Sequence, residues 1–380
     1  MKRFFLVYFL LTSILFISGC WDSDELEEML YIHSIGLDYQ EGRYYVYAQV
    51  FNFESLPTGA ESGGEVTQTT VGLGEGVTVV DAVHDLYSTT QRKIFWGHLS
   101  SVVFSENVLF NDIDGALDVI SRYSEIRPTP WIFATDENFR DLLNTLPTLG
   151  VNIIYSFFGE PLESYNQSSI VKPFKYNRFV AERGGPGRTV ILPVLDVDES
   201  SWFDKQGVKT NLNISSVALL SDEKFYGFLH EEDANGIRWY QKDTLRAPIV
   251  IDNEEGEVKG LIVLRVRDTN VKPVVSNEAV KFKIDVKVAG SLIEMSQETT
   301  EKEIIKSVKE KIKEDLRRTY EKGLELDGDV YSFSYHLFRE NPNKWKQLTV
   351  NEALHLNEDS LEDINVEVYL RDAGEKRLSQ

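Results

Sequence analysis

The sequence predicts a multidomain α+β protein, and three observations lead to that fold class. At 380 residues the chain is too long for one ordinary compact core, so two or three units are expected. Apolar residues alternate with period two in some segments and recur with the helical period in others. One long helix with an apolar stripe stands near the C-terminus. We expect an N-terminal mixed sheet with packed helices, a loop-rich middle segment, and a C-terminal antiparallel sheet packed around that helix.

Residues 1–19 are predicted to be a lipoprotein signal peptide. Lys2 and Arg3 precede an apolar run of fourteen residues from Phe4 to Ile17. The run is too short for an ordinary membrane-spanning helix, which needs roughly 20 apolar residues, and it fits a secretory signal. An uncleaved N-terminal anchor and a plain signal with an incidental cysteine are the alternatives.

Cys20 is the candidate lipid-attachment residue. Ser18 and Gly19 precede it, which resembles the lipobox of bacterial lipoproteins, where small residues fit the peptidase site and the thiol accepts diacylglycerol. Cys20 is the only cysteine, so the chain can form neither an internal disulfide nor a multi-cysteine metal site. If Cys20 is lipidated, no free thiol is left for cysteine catalysis. Removing the signal leaves 38 basic and 61 acidic residues, a net charge of −23. Acyl chains such as palmitate, rather than electrostatics, are therefore expected to hold the protein at a membrane.

The N-terminal domain is assigned to residues 20–146. Two alternating strands, Tyr31–Tyr39 and Tyr44–Phe53, are joined by a short turn at Gln40-Glu41-Gly42. A Pro-, Gly- and Ser-rich loop at 56–64 follows. The later predicted elements are a strand over 65–73, a helix from Val77 capped by Thr78, a strand Ile94–Phe104, a helix over Ile113, Leu117 and Ile120, and a strand Trp131–Ala134.

Residues 147–211 are predicted to be a loop-rich middle domain or linker, because prolines and the run Gly184-Gly185-Pro186-Gly187 interrupt any period. The C-terminal α+β domain is assigned to 212–380. Its predicted strands are a hairpin of Ile214–Leu220 and Lys224–His230, followed by Val258–Arg267, Val280–Ala289 and Ile364–Leu370.

The helix Thr300–Lys322 has the clearest signals in the chain. Thr300 and Glu303 form a capping box, and Gly323 is the predicted C-cap. Its apolar stripe consists of Ile304, Ile305, Val308, Ile312, Leu316 and Tyr320. From Glu301 to Lys322 the helix carries eight basic and six acidic residues. Two interpretations stay open: a solvated face laced by charge pairs, and a contact surface for an acidic partner.

No catalytic, cofactor-binding or metal site is assigned. The six histidines, none of which share metal-ligand spacing, are His33, His84, His98, His230, His336 and His355. His98 is predicted to be a buried core residue of its strand. Asp196, Asp198 and Glu199 lack the full ligand spacing of a calcium hand, so a solvated acidic turn is expected.

Two glycine-rich runs are also given structural interpretations. Gly72-Leu73-Gly74-Glu75-Gly76 lacks the six-residue dinucleotide fingerprint and is predicted to be a turn leading into a helix. Gly184 to Arg188 is predicted to be an exposed linker rather than an anion cradle. A net charge of −21 argues against nucleic-acid binding, and no small-molecule ligand is assigned.

Several short motifs follow each other along the chain. They are Cys20-Trp21-Asp22, Glu25-Leu26, Ile35-Gly36-Leu37-Asp38, Gly97-His98, Ser105-Glu106, Glu125-Ile126-Arg127, Tyr226-Gly227-Phe228-Leu229, Arg246-Ala247-Pro248, the Glu301 helix, Trp345-Lys346, and Val366-Glu367-Val368 with Gly374. In this order they resemble the Ger(x)C spore germination lipoproteins of endospore-forming Firmicutes. The resemblance covers nearly the whole chain and is weakest from about 147 to 211.

The resemblance implies a non-enzymatic C subunit of a nutrient germinant receptor. It also implies two integral-membrane partner subunits, a place on the outer face of the spore inner membrane, and an α+β fold of about three domains. Only Cys20 is carried over as a functional residue. The alternative is a lipid-anchored extracytoplasmic solute-binding protein or enzyme. Neighbouring genes for membrane receptor subunits favour the first interpretation, and transporter permease and ATPase genes favour the second.

Overall fold

A computed structural model describes most of the chain. The described residues are Phe4, 29–51, 69–147, 153–205, 207–222, 224–252, 256–276, 279–295, 300–350 and 353–371. Apart from Phe4, the predicted signal peptide lies outside them, as do Cys20 and the predicted loop at 56–64.

Ten strands of the described residues form one large mixed sheet. They are β1 (Met29–Gln40), β2 (Arg43–Phe51), β3 (Thr69–Gly76), β4 (Lys93–Phe95), β5 (Ser101–Ser105), β6 (Trp131–Thr135), β7 (Phe174–Lys175), β8 (Val190–Asp204), β9 (Gly207–Leu220) and β10 (Phe225–Leu229). The order is β10-β9-β8-β6-β5-β1-β2-β3, with β4 also beside β1 and β7 beside β6. The central strands β1, β5, β6 and β8 are parallel. The predicted N-terminal mixed sheet is confirmed.

Helices cover both faces of this sheet. They are α1 (Val79–Ser88), α2 (Glu106–Asn111), α3 (Ile113–Arg122), α4 (Phe139–Asn144), α5 (Pro161–Gln167) and α6 (Tyr176–Arg183), with a 3₁₀ turn at Ile153–Tyr155. Val102 and Phe104 of β5 pack in one core with α1, α3 and α6. Val103 between them packs in another with α4. Successive residues of a strand point to opposite faces, so this central strand is apolar throughout.

The predicted first hairpin is confirmed. Glu41 and Gly42 both have positive φ, 51° and 79°, as a two-residue type I′ turn requires. The pairing Gln40↔Arg43 closes the turn, and Asp38↔Tyr45 continues the ladder.

The glycines at 72–76 lie inside β3, so the predicted turn is wrong. A Cβ on Gly74 would overlap the carbonyl oxygen of Ala82, and one on Gly76 would overlap the amide nitrogen of the same residue. The glycines therefore allow α1 to pack directly on the backbone of β3. Thr78 caps this helix as predicted, since its side chain accepts the N–H of Asp81 at 3.1 Å.

The predicted single strand Ile94–Phe104 is two strands separated by a turn. Trp96 accepts the N–H of Leu99 at 3.0 Å, which closes a tight loop between β4 and β5. His98 sits on this loop and is exposed, so its assignment to the buried core is wrong. Its ring lies 5.4 Å from the ring of Tyr31, edge-on.

Residues 147–211 contain more regular structure than their sequence indicates. They supply α5, α6, β7, β8 and the first residues of β9. Pro161 occupies the first turn of α5, where a missing N–H costs nothing. Val190–Leu195 is fully buried in β8. The predicted hairpin at 214–230 is confirmed as β9 and β10, but it extends the large sheet. The domain boundaries at 146 and 211 stay a prediction.

The C-terminal part contains a second sheet with the order β11-β12-β13-β16. Its elements are β11 (Ala247–Asp252), β12 (Val258–Val275), β13 (Val280–Met295) and β16 (Leu361–Arg371), with a small ladder of β14 (Thr349–Val350) and β15 (Ala353–Leu354) beside it. The helices are α7 (Asn235–Tyr240), α8 (Glu301–Glu325), α9 (Phe333–Glu340) and α10 (Pro342–Leu348), with 3₁₀ turns at Glu231–Ala234 and Glu358–Ser360.

One strand departs from the expected antiparallel arrangement of this sheet. β16 runs parallel to β13, because the chain returns to the same edge after crossing over through α8. The predicted strands at 258–267, 280–289 and 364–370 are confirmed, and the first two are longer than expected.

The long helix α8 begins as predicted and ends later. The capping box is present: Thr300 accepts the N–H of Glu303, and Glu303 accepts the N–H of Thr300 at 2.8 Å. Gly323 is not the C-cap but a buried helical residue, where a Cβ would lie 3.0 Å from the side chain of Val330. The helix closes at Leu326, and Asp327 takes the left-handed conformation with φ 58°.

Candidate contact surface on the long helix

The surface of α8 is the candidate functional site among the described residues. Its buried stripe packs on the C-terminal sheet: Ile304, Val308, Ile312 and Leu316 have no exposed surface. The opposite half of the helix faces solvent. The charged residues of this exposed half lie on two flanks of the helix.

One flank is purely basic. Lys302, Lys306, Lys309, Lys313 and Arg317 follow each other at intervals of four, three, four and four residues, which places them on one side of a helix. We call these five residues the cationic stripe. Four of them, all except Lys306, make no ion pair with the described residues. Such a row of uncompensated cations is unexpected in a chain of net charge −21.

The other flank is mixed and internally neutralised. Lys311 lies 3.1 Å from Glu314 and 3.6 Å from Asp315. This flank borders a groove whose far wall is β11. Glu310 lies 3.9 Å from Lys306, which is one helical turn away on the same side of the helix and lines the same groove.

Apart from Lys306, which lines the groove beside β11, the cationic stripe lies on the side of the helix toward the other edge of the sheet, formed by β16. Tyr320, on the same flank, donates its hydroxyl hydrogen to the carbonyl oxygen of Asn357 at 2.7 Å. Asn357 lies four residues before β16 begins. The two flanks therefore look toward the two edges of the C-terminal sheet.

Buried polar contacts fix α8 to the rest of the fold. Asp315 accepts the indole N–H of Trp239 at 2.9 Å, and its pKa is raised because burial disfavours the carboxylate. Thr319 accepts the N–H of Gly236 at 2.8 Å and donates to the carbonyl oxygen of Asp233 at 2.6 Å. The helix that carries the cationic stripe is therefore fixed by buried hydrogen bonds as well as by the packing of its apolar face.

The acidic residues at 196–199 lie in β8, so the predicted turn is wrong. Asp196 accepts hydrogen bonds from the hydroxyls of Ser215 at 2.7 Å and Ser216 at 3.2 Å. Asp198 accepts the hydroxyl hydrogen of Ser200 at 2.7 Å. The described residues contain no group of three or more His, Cys, Asp or Glu side chains placed to hold a metal ion.

The segment 184–188, predicted to be an exposed linker, is mostly half-buried and packs against α9. The guanidinium of Arg188 lies 4.1 Å from the ring centroid of Tyr335. The next residue, Thr189, donates its N–H to the hydroxyl oxygen of Ser332 at 3.2 Å. The local sequence does not predict these two contacts, because the residues of each contact lie more than a hundred positions apart in the chain.

Across the part of the chain that the structure describes, no helix combines the length and apolar character of a membrane span.

Comparison with known proteins assigns the family. Residues 22–197 match the family model "Spore germination protein N-terminal domain", and residues 215–374 match "Spore germination B3/GerAC like, C-terminal". The chain belongs to the Ger(x)C family. Spore germination protein KC of Bacillus subtilis (strain 168) is 21% identical over 407 residues, covering 98% of this chain and 96% of that protein. Spore germination protein B3 of the same organism is 21% identical, with 91% of each chain covered.

A solved structure has the same fold. The crystal structure of the GerBC protein aligns with a TM-score of 0.51 at 16% identity, covering 89% of this chain and 97% of that one. The α+β fold expected from the sequence is confirmed, and the chain is a spore germination protein by family.

Several Ger(x)C motif residues have structural roles in this chain. Ser105 donates its hydroxyl hydrogen to Asp38 at 2.5 Å and caps α2 by accepting the N–H of Val108 at 3.1 Å. Trp345 is buried and donates its indole N–H to Ser334 at 2.8 Å. These contacts give the motif residues structural roles in helix capping and packing.

Proposed function

We propose that this chain is a lipid-anchored, non-enzymatic subunit of a nutrient germinant receptor. It works beside two integral-membrane subunits on the outer face of the spore inner membrane. The family match over nearly the whole chain supports a role in germination, and the lipobox at Cys20 supports the anchor. The single observation that carries a contact role is the cationic stripe on an otherwise acidic protein, because four of its five residues make no ion pair with the described residues.

The proposed mechanism is tethering followed by docking. Acyl chains on Cys20 confine the protein to the membrane surface, which raises its effective concentration beside the membrane subunits. Individually weak contacts then suffice to hold the assembly together.

The anchor is tested by the variant Cys20→Ala. With no acyl chain and a strongly acidic body, the variant should move from the membrane fraction to the soluble fraction, and nutrient-triggered germination should slow. An unchanged thermal unfolding curve is the control for folding. If the variant stays with the membrane in cells that lack the partner subunits, the lipid-anchor proposal is wrong.

A further inference from the structure

The strand β16 offers an open edge. It is eleven residues long, is the last strand of the C-terminal sheet, and pairs only with β13 among the described elements. Every second residue of such an edge directs its backbone N–H and C=O groups away from the sheet. An edge of this length is a ready template for a further strand.

The cationic stripe lies above the space beside that edge. Helix α8 follows the C-terminal end of β13 and runs back across the sheet, so it is antiparallel to β13 and β16. From Lys302 to Arg317 the stripe extends about 22 Å at 1.5 Å per residue. A strand placed next to β16 would run beneath it.

The outer face of the sheet does not share this excess of positive charge. Lys283 lies 3.5 Å from Glu362, and Lys287 lies 3.4 Å from Glu367, so cations of β13 are paired with carboxylates of β16. These two cations of the outer face are therefore neutralised, whereas four residues of the cationic stripe make no ion pair with the described residues.

We propose that an extended acidic segment of a partner protein docks here as a fifth strand of the C-terminal sheet. Its backbone pairs with β16. Its alternate side chains, about 6.6 Å apart, are Asp or Glu and meet the cationic stripe, whose mean spacing is about 5.6 Å. This deepens the contact role under the proposed function by naming the chemistry of the partner. An anionic lipid surface is the less favoured occupant, because headgroups use the cations and leave the backbone edge unpaired.

The test measures peptide binding to the purified protein in detergent micelles. The probe is a fluorescein-labelled octapeptide, acetyl-(Glu-Val)4-amide, followed by fluorescence anisotropy. Two probes of matched length separate the two parts of the proposal. Acetyl-(Glu-Pro)4-amide keeps the charge but cannot pair as a strand, and acetyl-(Lys-Val)4-amide keeps the strand but reverses the charge.

The expected result is saturable binding of the (Glu-Val)4 probe and about tenfold weaker binding of both other probes. The double variant Lys309→Glu/Lys313→Glu should weaken (Glu-Val)4 binding by about tenfold or more. The matched control, Lys205→Glu/Lys209→Glu, makes the same charge change at the exposed end of the β8–β9 hairpin and should bind like the parent.

Three results would overturn the proposal. They are equal binding of (Glu-Pro)4 and (Glu-Val)4, unchanged binding by the stripe variant, and binding of phosphatidylglycerol vesicles that is lost in the stripe variant while no peptide binds. If the Lys309/Lys313 variant unfolds, Lys302→Glu/Arg317→Glu changes two exposed stripe residues and must give the same loss. The assay needs neither lipidation nor a receptor, so its outcome is independent of the Cys20→Ala test.

Discussion

Gly74 shows how the absence of one side chain allows a helix, α1, to pack directly on a strand, β3. Its Cα faces the backbone of α1, and there is no space for a methyl group between β3 and that helix. Gly72 is in a similar position, since a Cβ there would lie 2.6 Å from a methyl carbon of Leu86. The spacing of these glycines was visible in the sequence, but it suggests a loop as readily as a strand under a helix.

We expect Gly74→Ala to destabilise the protein by about 2–4 kcal/mol, because the helix must move off the strand to admit the methyl group. Chemical denaturation of the full chain measures the change. The control is Gly184→Ala, where a Cβ meets nothing closer than 3.6 Å and the effect should be small. Equal stability of the two variants would contradict the close packing of α1 on β3.

His33 is a buried base with an incomplete set of partners. Its Nδ1 lies 3.0 Å from the hydroxyl of Ser34 and 3.3 Å from the amide oxygen of Gln49, and its Nε2 has no hydrogen-bond partner among the described residues. Burial lowers its pKa from 6.5 to about 4, opposed by the bond to Gln49 and aided slightly by nearby His98.

Because the folded pKa of His33 is depressed, the unfolded chain binds more protons between pH 6.5 and about 4, and stability falls as the pH falls through that window. At pH 5 the loss attributable to His33 is about 2 kcal/mol relative to pH 7.5. We expect His33→Gln to lose less stability than the parent between pH 7.5 and 5, measured by denaturant unfolding. Burial raises the pKa of Asp329 to about 6, which acts in the opposite direction, but equally in both proteins. Parallel pH profiles would contradict a neutral buried His33.

At the scale of elements, α8 was the most predictable part of the chain. Its apolar stripe and capping box are local signals, so the sequence alone specifies both the buried face and the first residue. The predicted C-terminal end is wrong because Gly323 packs against Val330 inside the helix and does not form a left-handed turn. The turn between β4 and β5 has no local signal either, because the residues on both sides of it are apolar. The two strands are distinguished only by their separate pairing with β1.

We expect Ile312→Asp to destabilise the full chain by several kcal/mol, since Ile312 is fully buried in the middle of the stripe. Thermal unfolding should show a lower or lost cooperative transition. The full chain is the right sample, because a fragment starting at Leu212 would remove β9 and β10 from the large sheet. Arg317→Asp is the matched control on the exposed side. A melting curve like that of the parent would show that the stripe does not hold the helix.

At the scale of the molecule, the large sheet could not be read from local patterns. β8 and β9 join strands that lie before residue 147 to β10 at 225–229, and such pairing depends on contacts distant in sequence. The net charge of −21 likewise gives no indication of the cationic stripe, because net charge sums all side chains and does not report where they lie on the folded surface. The spacing of the stripe residues is visible in the sequence, but the edge of the sheet that they face depends on the position of β16.

The central claim is that this protein acts by contact through α8, and one variant tests it most directly. Reversing Lys306, Lys309 and Lys313 to Glu leaves the buried stripe intact, so folding and membrane attachment should remain normal. Co-purification with the two proposed membrane partner subunits should weaken, and nutrient-triggered germination should slow. Lys205→Glu/Lys209→Glu, which reverses two charges outside α8, is the control for charge reversal elsewhere on the surface. A triple variant that folds, co-purifies and germinates like the parent would contradict the claim.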